Sequence, residues 1–345
     1  MQPKREGDKV WLDGVEGFSS GVWASSMHGS MARILEVIGS PLTYDDLVCY
    51  GGFAFRTSIH AKLCPSAAHP LRGYKCIDGS VRALPWKIRF FESFPWTKRA
   101  TDRDTFESEV RAAIVDSIDR GVPAHYAAQE DGLIIGYGSG GSRWWCVHPY
   151  YKDGSEPFWH DEASGFAGPS WPWAVSVWIE PKDTAEIVDT QELTIGALNQ
   201  AVRMWKTEKR GSYFIGAAAY GHWLEWLRGV EPKAVEVSKR GMQGNGWCFE
   251  VLIQSRRIAS SWLNKIADDA GAARDPLRSA AGSFAALVDV CMEDLDSPWD
   301  LACAPERVEE WTREKRRAQI ARIESAQGLD GTAVELIEEA LALLG

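Results

Sequence analysis

Residues 17–56 read GFSSGVWASSMHGSMARILEVIGSPLTYDDLVCYGGFAFR, and this stretch decides how the whole chain is read. After a run of small residues, Met27, Met31, Ile34, Leu35 and Ile38 recur at helical spacing until Gly39 and Pro41 stop them. The pattern predicts one short amphipathic helix entered at Ser25 and Ser26. A helix N-terminus presents unpaired N–H groups and a partial positive charge, so an oxyanion or nucleophile there is stabilised without an added cation. Serine is equally a favoured N-cap, where its hydroxyl only closes the first turn. Both roles are open to Ser25 and Ser26.

Working outward, residues 85–91 alternate like a strand and residues 104–120 are predicted helical, stopping at Gly121. Three strands are expected at 124–128, 132–137 and 143–148, the last two joined by a hairpin turn at Gly138-Ser139-Gly140-Gly141-Ser142. Those glycines feed a strand rather than a helix, which argues against a phosphate cradle. Residues 152–172 are expected to form a long surface loop and 173–179 a strand. Everything after Pro181 is expected to be helical, in segments near 193–204, 213–228, 247–269, 276–295, 305–327 and 332–344. The fold class is therefore α+β, with one domain over residues 8–182 and an all-α helical bundle over 190–345.

Several motifs resemble the papain-like, bacteriocin-processing cysteine peptidases, and within them the butirosin-biosynthesis protein H group. They are Ile38-Gly39, Thr43-Tyr44-Asp45-Asp46-Leu47, Gly52-Phe53-Ala54-Phe55-Arg56, then residues 118–123 (IDRGVP) and 133–137 (LIIGY). The resemblance covers roughly residues 15–180 and implies a papain-like fold of helix plus antiparallel sheet. Counting back from Gly39, the position of the family's cysteine falls on Ser26, or on Ser25 if the helix starts one residue earlier. The family's histidine falls on Glu130 or Asp131, and its Asn/Asp on His148.

Acyl transfer needs a nucleophile, a base in hydrogen-bond reach, a group that orients the base, and oxyanion donors. By position, Ser26 is the candidate nucleophile, with Ser25 beside it. His148 is the candidate base and Asp131 its orienting carboxylate, since paired central strands would bring both to one edge. His28 lies two residues after Ser26, a spacing that points side chains apart on a helix. Cys49 and Cys146 sit among apolar residues where a thiol stays neutral. His60, His69, His125 and His160 stand alone and Cys146-x-His148 is too close to pair, so no metal site and no cofactor is expected. His222, on an apolar helix, is read as a satisfied interface side chain.

The expected function is a hydrolase or acyltransferase acting on an amide or thioester, with a small molecule or peptide as substrate and, by the resemblance, an acyl carrier protein as donor. The alternative is a catalytically silent relative that binds a peptide or metabolite in a Trp-rich cleft. The chain has seventeen tryptophans, among which Trp23, Trp86, Trp96, Trp144, Trp145, Trp159, Trp171, Trp173 and Trp178 are candidates to line one. A net charge of −10 argues against nucleic acid as a partner. The absence of a long apolar run argues against a membrane, and the polar start MQPKREGDKV predicts a cytoplasmic protein. Seven cysteines without a CxxC pair fit reduced thiols.

Overall fold

The computed structural model describes residues 1–17, 24–92, 103–127, 130–147, 158–161, 174–229 and 239–344. It is mixed helix and antiparallel sheet, as α+β predicts, and divides into two compact units. The first comprises Met1–Tyr44 and Leu84–Ile187, and the second Asp45–Ala83 and Val188–Gly345.

The first unit is built on an antiparallel sheet. Along one path the strands run Lys4–Glu6, Lys9–Trp11, Gly132–Gly138, Ala124–Ala127, Ala174–Pro181 and Trp86–Glu92. Arg143–Val147 pairs with Gly132–Gly138 as the expected hairpin, and its turn residues Gly140 and Gly141 take φ of 65° and 93°, which glycine adopts at no steric cost. Gly136 is required by packing: a Cβ there would lie 2.7 Å from the carbonyl oxygen of Val10 and from Trp11 Cβ. A strand at Phe158–Asp161 extends the sheet from Arg143–Val147, where the sequence predicts only loop. The rest of that loop lies outside the described residues.

The helix Arg103–Asp119 packs on this sheet through Val110, Ile114 and Ile118, all fully buried. The predicted opening helix is present as Ser26–Val37. Ile34 and Leu35 have no exposed surface, and each such side chain contributes about 1.5–3 kcal/mol of burial. This face sets the helix against Ala124–Ala127 and Gly132–Gly138, which fixes where its N-terminus points.

Three expectations about the remainder are corrected. Residues 45–83, assigned by sequence to the 8–182 domain, belong to the second unit. The reason is tertiary: Ile59, Leu63 and Ala67 enter one apolar core with Trp223, Phe249 and Ile253, and strand Ser58–His60 pairs with Tyr213–Ile215. The second unit is accordingly not all-α, since Lys209–Arg210, Tyr213–Ile215 and Ser58–His60 form a small antiparallel sheet. The helices at 305–327 and 332–344 also differ. Pro305–Glu310 is a 3₁₀ segment, and one unbroken helix, Arg313–Leu344, follows it.

Candidate functional site

Ser25 is the N-cap of the opening helix, with extended backbone at φ −152°, and its hydroxyl accepts the backbone N–H of His28. The same hydroxyl lies 2.9 Å from His28 Nδ1, and its own N–H donates to the Tyr44 hydroxyl at 3.1 Å. Ser25 and His28 are buried, at 5% and 0% exposure. Spacing i, i+3 brings side chains together on one helical face. That contact was open to the sequence once Ser25, rather than Ser26, was paired with His28.

Ser26 begins the helical backbone and is half-buried. Its hydroxyl donates to Glu130 Oε2 at 2.7 Å and accepts the backbone N–H of Asp131 at 3.1 Å. No imidazole among the described residues hydrogen-bonds it. The backbone N–H groups of Ser26 and Met27 belong to the first turn, where a helix has no internal acceptor to offer them.

Asp131, the candidate orienting carboxylate, stands just before the strand Gly132–Gly138. Its carboxylate is wholly buried, with Oδ2 3.6 Å from His125 Nε2, and it reaches Ser26 only through its backbone N–H. His125 Nδ1 lies 3.0 Å from the Ser176 hydroxyl. His125 therefore does not stand alone: register across Ala124–Ala127, Gly132–Gly138 and Ala174–Pro181 gathers His125, Asp131 and Ser176 in the sheet. Cross-strand pairing of this kind has no signal in local sequence. His148, the candidate base, lies outside the described residues.

The remaining candidates separate cleanly. Burial raises the thiols of Cys49 and Cys146 well above the usual range, in keeping with inert core cysteines. Trp144 and Trp178 are buried within the sheet. Trp86 and Trp145 are half-buried, while Trp23, Trp96, Trp171, Trp173 and the side chain of Trp159 lie outside the description. His222 stacks on Phe214 with ring centroids 4.1 Å apart and bonds the Ala61 carbonyl oxygen. Among the described residues no three His, Cys, Asp or Glu side chains converge to hold a metal, and no helix is long and apolar enough to cross a membrane.

Among the described residues, two serines stand within hydrogen-bond reach of a group that can take a proton: Ser26 beside Glu130 and Ser25 beside His28. A carboxylate accepts the Ser26 proton, and a backbone N–H together with the helix N-terminus favours negative charge on or near Oγ. No protein-family model matches the chain, and no curated protein matches it in sequence.

Proposed function

We propose that the first unit is an acyl-transfer catalyst of papain-like descent, a hydrolase or acyltransferase for an amide or thioester, with Ser26 as nucleophile and Glu130 as general base. The observation that carries this reading is the 2.7 Å hydrogen bond from Ser26 Oγ to Glu130 Oε2 at the start of a helix. Nucleophile and base within hydrogen-bond reach are the geometric minimum for the chemistry. The resemblance to the papain-like peptidases supports this reading, since it puts the nucleophile position at Ser26 or Ser25 and the base position at Glu130 or Asp131.

In the first step Glu130 takes the hydroxyl proton as Oγ bonds the acyl carbon. The N–H groups of Ser26 and Met27 face the charge that builds on the carbonyl oxygen. The protonated Glu130 then gives its proton to the departing amine or thiolate, leaving an acyl-serine. Water regenerates the serine in a hydrolase, and an amine does so in an acyltransferase. The buried Asp131 anchors the segment that carries Glu130.

A second reading, a silent binding relative, is favoured by the same bonds read as a cap: both serine hydroxyls are satisfied within the protein, as structural serines are. The two readings part on one experiment. With p-nitrophenyl acetate or an N-acetylcysteamine thioester as acyl donor, Ser26→Ala and Glu130→Gln should each lower kcat/KM by about 10²–10⁴-fold at unchanged melting temperature. Full turnover by both variants removes the catalytic reading, whereas labelling of Ser26 by a fluorophosphonate removes the silent one.

A further inference from the structure

The second unit holds a cleft of about 310 Å³, independent of the Ser26 site. One wall is a single stripe of the helix Thr190–Lys206: Leu193, Gly196, Gln200 and Arg203 follow at intervals of three and four and so share a face. The other comes from the helix Asp78–Ala83 and the residues before it, with Tyr74, Lys75 and Arg82.

Gly196 gives this wall its open stretch. Glycine inside a helix is destabilising relative to alanine. Here nothing beyond its own helical backbone lies within 4 Å of where a Cβ would sit. The missing side chain widens the cleft and relieves no clash.

The charges around that space are unbalanced. Lys75 pairs with Asp78 at 2.7 Å and Arg82 pairs with Glu192, which lies outside the lining, and all four are exposed. Arg203 is exposed and has no ion-pair partner among the described residues. Three cations against two carboxylates leave one positive charge over a cleft in a protein of net charge −10. Rim pairs of this exposure are weak and exchange readily with an incoming anion. Leu193 and the Tyr74 ring supply apolar surface beside them.

We propose that this cleft binds a small organic carboxylate, its head group held by Arg203 with Arg82 and Lys75, and its body lying over Gly196. A monocarboxylate matches the single excess charge, and the Arg203 guanidinium offers a fork of donors to both its oxygens.

Saturation-transfer NMR on the full chain, with benzoate as probe and benzamide as its uncharged counterpart, tests the assignment. Benzoate should bind the wild type and weaken with added salt, and benzamide should not bind. Arg203→Glu should weaken benzoate at least tenfold, and Gly196→Trp should abolish its binding, each variant keeping the wild-type circular dichroism. Gly196→Ala should raise the melting temperature, by about 2–4 °C, because the helix gains propensity with no clash. No benzoate binding to the wild type, equal binding of benzamide, or binding unchanged in both Arg203→Glu and Gly196→Trp would overturn the proposal. A lowered melting temperature for Gly196→Ala would show that packing, not a ligand, explains the glycine. Loss of acyl transfer in Ser26→Ala bears on none of these outcomes.

Discussion

The hydroxyl of Ser26 reaches Glu130 Oε2 over 2.7 Å, although the two residues are 104 positions apart in the chain. A carboxylate base has a distinct pH signature. It must be ionised to accept the proton, so activity should be lost on acidification, through a limb that Glu130→Asp retains and Glu130→Gln removes together with the residual turnover. The pH profile of kcat/KM for a neutral ester checks this. An acid limb that survives unchanged in Glu130→Gln would assign the base to another group.

On the proposed reading, Ser25 serves stability rather than chemistry. Its hydroxyl caps the helix and meets His28 at 2.9 Å in a buried setting, so Ser25→Ala removes a cap and leaves an imidazole nitrogen without that partner. The expected loss is about 1–2 kcal/mol in urea unfolding, with kcat per folded molecule retained. Loss of turnover in a fully folded Ser25→Ala protein would move the nucleophile one residue back.

The second unit depends on a charge buried in its core. Arg256 and Asp330 are each 1% exposed, and Arg256 Nη2 meets Asp330 Oδ2 at 2.5 Å. The arginine also donates to the Ala54 carbonyl oxygen at 2.8 Å and to Thr57 Oγ1 at 2.7 Å, while the Tyr220 hydroxyl donates to Asp330. Burial alone would lower the guanidinium pKa, and the adjacent carboxylate more than restores it. Asp330→Asn leaves that cation buried without its counter-charge and should cost about 3–5 kcal/mol by denaturant titration. The paired change Arg256→Met with Asp330→Leu should recover much of the loss.

Cys64 should react before the other six cysteines. Burial raises its thiol, but the Ser66 hydroxyl at 3.0 Å and Arg240 Nη2 at 3.2 Å outweigh burial and bring the group below its ordinary value of 9.0. The other six are raised, burial being the first cause in each. Thiolate is the reactive form, so alkylation by iodoacetamide should reach its plateau at lower pH at Cys64 than at any other site. Peptide mapping reads this directly, and Arg240→Ala should shift the plateau upward.

Local pattern was enough for much of the fold. The spacing of Met27, Met31, Ile34 and Leu35 predicts the opening helix, and alternation with glycine punctuation predicts the hairpin from Gly132 to Val147, because periodicity and turn chemistry are local properties. The serines were legible as helix-start residues for the same reason. Glu130 was legible only as a position, since a search for an imidazole passes over a carboxylate.

Tertiary structure decided everything that depends on distant segments meeting. Strand register brought His125 to Asp131 and Ser176, and the packing of the opening helix on the sheet set Ser26 against Glu130. A shared apolar core drew residues 45–83 out of the first unit and into the second. Sequence fixes which face of each element is apolar, but burial is non-directional, so which faces come to cover one another is settled only when the whole chain packs.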